Sequence, residues 1–203
     1  MMKKFFMTLV MSMILFINSA GATDAVSVLN SAQLTPTMTG YEPCDTIVLD
    51  TLAQITTPEM STYDKVLACY DWLIDNCRYG YLSEYTIPDS PEDEGITRAM
   101  DMLAYKIGAC DDYSCAFAAL TRAIGLNCYT VYGQTARADG GYTGHIWTVI
   151  KINGVEYVFD PQVEDNIAKG GKVYYYRFCK TYNEVYENYM SYRVDGRYFK
   201  PLY

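Results

Sequence analysis

The chain has 203 residues, half of them hydrophobic and a fifth charged, enough for one domain with a substantial core. Its 24 acidic residues outnumber its 16 basic ones, giving a formal charge of −8. That balance argues against nucleic acid as a partner, because such binding rests on clustered basic contacts to phosphate.

Lys3 and Lys4 precede an apolar run from Phe5 to Ile17, and Ser19-Ala20-Gly21-Ala22 follows. This order predicts a secretory signal peptide over residues 1–22, cleaved after Ala22. The apolar run is short for a bilayer span, and no second one follows it. The expectation is a secreted or extracytoplasmic protein with no integral membrane span after cleavage. Losing the two lysines takes the formal charge from −8 to about −10.

Residues 23–60 are expected to form an N-terminal arm and a short helix. Positions 23–43 are polar, with Pro36 and Gly40, and suit a linker or a wrapped arm. Ile47, Val48, Leu52 and Ile55 then form a helical stripe that ends near Pro58. The next helix is predicted over Thr62 to Asn76. Ser61 and Asp64 have the spacing of a capping box, and Val66, Tyr70, Leu73 and Cys77 recur on one face. Residues 80–95 read as a long loop with Pro88, Pro91 and an acidic run, Glu92-Asp93-Glu94. Such a run suits a solvated surface, and a loop of that length also suits the border of a cleft. A short helix is expected over Thr97 to Lys106.

A further helix is expected to open at Cys110 and close at Gly125. Gly108-Ala109 precede it, and its Ala-rich body contains no proline. Beyond Gly125 the period changes. Asn127 to Thr135 reads as a strand. His145 to Ile152 and Val155 to Asp160 read as two more, joined at Asn153-Gly154, a strong hairpin signal. Tyr174 to Phe178 suits another strand. Tyr182, Val185, Tyr186 and Tyr189 share a helical face, for which packing is the simplest role. Helices first and adjacent antiparallel strands afterwards make this an α+β domain.

Seven cysteines is an odd number. Three disulfides with one free thiol, or several buried reduced cysteines, both fit. With no Cys-x-x-Cys pair and one histidine, neither a metal site nor a cofactor is expected.

A cysteine in the first turn of a helix faces unpaired N–H groups and the positive end of the dipole, both of which favour a thiolate. His145, the only imidazole, is the available base, and Asp160 could orient it. If Asn153-Gly154 is a two-residue turn, His145 and Asp160 fall on one face of the hairpin as diagonal neighbours, about 7 Å apart at Cβ. Against this, Asp111 and Asp112 beside Cys110 oppose a thiolate. Each residue also has a plainer role. Cys110 suits a buried core position, His145 a strand end, and Asp160 before Pro161 a turn start.

Gly-x-Cys-x-x-Tyr-Ser at 108–114, Gly-His-Ile-Trp-Thr-Val at 144–149 and Tyr-Val-Phe-Asp-Pro at 157–161 together resemble the transglutaminase-like superfamily. The segment from Tyr63 to Leu73 is similar to the leading helix of its bacterial secreted members. The resemblance implies a papain-like core, in which the nucleophile helix packs on an antiparallel sheet, within a catalytic domain over residues 61–203. It implies Cys110 as nucleophile, His145 as base and Asp160 as orienting carboxylate. Ile146 stands where members often have Ala, and the sequence offers no motif on which the animal enzymes' calcium sites can be placed. The implied activity is that of an exported cysteine enzyme, a hydrolase or acyltransferase acting on peptide or protein amides through a thioester. Its substrate would be a peptide or protein, at the cell surface or wall among the options. A noncatalytic extracellular binding or assembly module using the same cleft is the alternative, and a cell-wall peptidase of another Cys/His fold is a third.

Overall fold

A computed structural model describes residues 23–86, 94–195 and 197–202. The expected signal peptide and most of the acidic run lie outside them. The elements run in order α1 (Ala25–Asn30), α2 (Glu42–Ile55), α3 (Thr62–Asn76), β1 (Arg78–Tyr79), α4 (Glu94–Tyr105), β2 (Ile107–Gly108) and α5 (Cys110–Ile124). Then follow β3 (Cys128–Ala136), β4 (Tyr142–Ile152), β5 (Val155–Phe159), α6 (Pro161–Ala168), β6 (Lys180–Thr181) and β7 (Tyr189–Val194). This is an α+β domain: a helical layer lies against a five-stranded antiparallel sheet of order β6-β5-β4-β3-β7.

Local chemistry sets the helix ends. Ser61 accepts from the Asp64 N–H while Asp64 accepts from the Ser61 N–H, the reciprocal pair that starts α3. Gly125 ends α5 at φ +119°, and its carbonyl accepts from the Thr35 N–H at 2.8 Å. A Cβ at Gly125 would stand 2.8 Å from Leu34 Cβ, so the close approach of the N-terminal arm needs a glycine here. The arm is therefore wrapped against the domain, and it contains the short helix α1.

Helix α5 is buried from Asp112 to Thr121. Its Phe117 and Leu120 join Tyr70 and Leu73 of α3 and Ile146, Ile150 and Phe159 of the sheet in the main core. A second apolar cluster covers the opposite sheet face, where Trp147, Val149 and Val158 meet Tyr182, Val185 and Tyr189. The hairpin register pairs Ile152 with Val155, Lys151 with Glu156 and Val149 with Val158, and ends at Thr148 with Phe159. Asp160 lies one residue beyond the strand.

Two local expectations fail. Tyr174 to Phe178 forms no strand, and β6 follows it as a two-residue strand instead. Its peptide groups serve side chains: Glu164 accepts from the Tyr174 and Arg177 N–H groups, and the Arg177 carbonyl accepts from the Asp160 N–H. The tyrosines from 182 to 189 form no helix either. Tyr189 opens strand β7, and Tyr186 is exposed.

Candidate active site

Cys110 is the first residue of α5, with Ala109 as its cap. The cap works through Asp112, whose Oδ2 accepts from the Ala109 N–H at 2.7 Å. A Cβ at Gly108 would stand 2.5 Å from Asp112 Cβ and 2.8 Å from the Met102 sulfur, so the returning carboxylate needs a glycine at that position. The next two residues anchor the helix. Tyr113 donates to Asp165 Oδ2 at 3.0 Å on α6, and Ser114 donates to the Ile146 carbonyl at 3.1 Å on β4. The Ser114 contact ties the helix to the strand residue next to His145. Strand β1 lies parallel to β2, with Tyr79 beside Gly108, and so borders the start of α5.

His145 and Asp160 are both buried, and the structure brings them together. His145 Nε2 lies 2.7 Å from Asp160 Oδ2. The same oxygen accepts from the Tyr189 hydroxyl at 2.7 Å, and Oδ1 accepts from the Val163 N–H at 3.1 Å, where Asp160 caps α6. Tyr70 holds the backbone, donating to the carbonyls of Asp160 and Arg177 at 3.0 and 3.2 Å. Trp147 stacks alongside the imidazole at 6.1 Å between ring centroids.

Burial disfavours charge on His145. The Asp160 carboxylate outweighs it by charge and hydrogen bonding, with Cys110 as a further hydrogen-bond and charge partner, and the pKa rises to about 10. Asp160 moves the other way. Burial opposes its ionisation, but His145, Tyr189 and the Val163 N–H hold its carboxyl below the usual carboxylate range. Nε2 being committed to Asp160, Nδ1 is the ring nitrogen left for the thiol. The arrangement sets a partly exposed thiol beside a buried imidazole that favours its charged form.

Cys110 is the one cysteine of the seven that is not buried, and all seven are free thiols. Burial pushes the Cys44, Cys77, Cys128 and Cys179 thiols up to about 12. Among the described residues, no group of three or more His, Cys, Asp or Glu side chains is placed to hold a metal ion.

Tyr189, Tyr70 and Arg98 belong to this site although their spacing gave no sign of it. Tyr189 lies 29 residues from Asp160 and Tyr70 lies 90 away. Arg98 of α4 reaches both Asp111 and Asp112.

With a thiol at a helix start set against a buried histidine–carboxylate pair on an adjacent sheet, the chain is built as proteins of the papain-like class are. It belongs to the transglutaminase-like superfamily, whose core profile matches residues 50–161, the span that holds Cys110, His145 and Asp160. Two solved structures are similar to it. One is a candidate cysteine protease from Cytophaga hutchinsonii, 15% identical over 92% of this chain and 62% of its own, with a TM-score of 0.44. The other is a TGase, 14% identical over 71% of this chain and 34% of its own, with a TM-score of 0.37. The chain thus spans about three-fifths of the first protein's length and about a third of the second's. No curated protein matches it in sequence.

Proposed function

We propose that this protein is a cysteine enzyme that acts on peptide or protein amides through a thioester on Cys110. The observation that carries the reading is the 2.7 Å contact between the chain's only histidine and a buried carboxylate, on an imidazole that also partners Cys110. In the reaction, the Cys110 thiolate attacks the amide carbon and the carbonyl oxygen becomes an oxyanion. The Cys110 N–H, first in α5 and without an intrahelical acceptor, points its donor at that charge. The His145 imidazolium gives its proton to the departing amine, leaving a thioester and a neutral imidazole. Water or an amine then attacks, the imidazole takes the proton, and the acyl group leaves as an acid or a new amide. Asp160 fixes the ring and favours its charged form, and Tyr189 holds Asp160.

We also propose that residues 61–203 are the catalytic domain, with 23–60 packed against it, and that the chain is exported. Thr23, the first residue after the expected cleavage, donates its N–H and hydroxyl to Glu184 at 2.8 and 2.5 Å. A chain that starts there would present its new ammonium to that carboxylate. No helix among the described residues is long and apolar enough to cross a membrane.

The test is a peptide library with a labelled primary amine, read by mass spectrometry. An acyl adduct on the Cys110 peptide is expected, together with cleaved or amine-labelled products. Cys110→Ala should lose at least about 10³-fold of turnover. Products without dependence on Cys110 would remove the thioester route. A reactive Cys110 that forms no adduct with any peptide would favour the noncatalytic module.

A further inference from the structure

Asp111 and Asp112 stand beside a thiol that must ionise, and two adjacent carboxylates oppose that ionisation. Asp112 is held in place by geometry, since its Oδ2 caps the Ala109 N–H at 2.7 Å and so defines the start of α5. Its charge accompanies that cap. Arg98 lies across both acids. Its Nη1 is 3.0 Å from Asp111 Oδ2 and 3.0 Å from Asp112 Oδ1. Its Nε and Nη2 turn the other way, to Glu94 Oε1 at 3.0 and 2.8 Å. The guanidinium sits over the rings of Tyr85 and Tyr198, at 5.6 and 5.5 Å. Tyr198 also donates to Asp111 Oδ2 at 3.3 Å. The side chain is only 23% exposed, so water screens these contacts weakly. A guanidinium fork addresses three carboxylates at once, which a lysine ammonium matches only as a point charge.

We infer that Arg98 is a positioning residue that neutralises Asp111 and Asp112 and thereby lets Cys110 ionise at the helix start. This rests on the reading of Cys110 as nucleophile. The charged and titratable groups around the thiol are His145 from β4, Tyr79 from β1, Asp111 and Asp112 from its own helix, and Arg98 from α4. Glu94, Tyr85 and Tyr198 face Arg98 from its other sides. The field is felt further along α5. Burial holds the Cys115 thiol up, Asp111 and Asp112 push it further, and Arg98 opposes them.

The test follows iodoacetamide alkylation of Cys110 against pH in the full chain, with peptide mapping and no substrate. Arg98→Gln should raise the apparent thiol pKa by about one pH unit and slow alkylation below it about tenfold. Adding Asp111→Asn to that variant should restore most of the rate, and Arg98→Lys should stay close to wild type in pKa. Should Arg98→Gln fold poorly, Asp111→Asn alone decides, because with Arg98 retained it should lower the apparent pKa. An unchanged profile in Arg98→Gln, a loss that Asp111→Asn does not restore, or an Asp111→Asn variant whose pKa stays put would each overturn the proposal. A wild-type Cys110 that reacts no faster than the same thiol in urea would sink the nucleophile reading, and Arg98's role with it.

Discussion

The carboxylate of Asp160 receives three donors, from His145, Tyr189 and Val163, although its residue is buried. Such satisfaction is what permits an ion pair away from water. The pH dependence follows from the two directions of shift. His145 is raised from 6.5 to about 10, so its stabilising contribution is complete below about 6.5 and fades as pH climbs through about 10. Asp160 is depressed, so its contribution is present above the ordinary carboxylate range and is lost as acid titrates the folded group. Because the chain has one histidine, a tag-free sample shows one imidazole by NMR, and its midpoint should lie near 10. In Asp160→Asn burial is opposed by Cys110 alone, so the midpoint should drop well below 10. Activity at neutral pH should fall by roughly 10³ to 10⁴. A midpoint that stays near 10 in Asp160→Asn would assign the shift to some other group.

At the scale of elements, the start of α5 depends on a missing Cβ. Gly108→Ala would press a methyl against Asp112 and Met102. We expect it to open the Asp112 cap, to cost about 1–3 kcal/mol in thermal unfolding, and to slow Cys110 alkylation. Wild-type reactivity with a lowered melting temperature would separate the cap from the thiol's chemistry. Features of this local kind were legible in the sequence. Ser61 and Asp64 announce α3 because both halves of the cap lie within four residues. Asn153 and Gly154 announce the hairpin because both adopt positive φ, at 50° and 83°. The alternation of that hairpin predicts His145 and Asp160 on one side, and they meet although Asp160 lies one residue beyond β5. Residues 174–178 misled because their tyrosines and phenylalanine suit a strand, whereas distant Glu164, Asp160 and Tyr70 claim their peptide groups. Nothing near Tyr189 or Arg98 in the chain signals a partner, so their contacts emerge only from the folded topology.

At the scale of the whole molecule, an apolar cluster lies on each face of the sheet, and the cysteines fill interior positions. The six apart from Cys110 are buried: Cys44, Cys69 and Cys115 in helices, Cys77 at the end of α3, Cys128 in β3 and Cys179 before β6. Each serves as a small apolar side chain in a packed interior. A native thiol titration should therefore find one fast group, and a denatured one seven. Reversibility is where that difference bears on the life of the protein. When the chain opens, one accessible thiol becomes seven, each free to combine with any other or with a neighbouring molecule. Refolding after heating should then succeed with a reductant present and fail in air, with fast rescans separating the two conditions within one heating cycle. If the chain is exported as proposed, its survival is a matter of how seldom it opens, and the barrier to unfolding matters more than the depth of the native well.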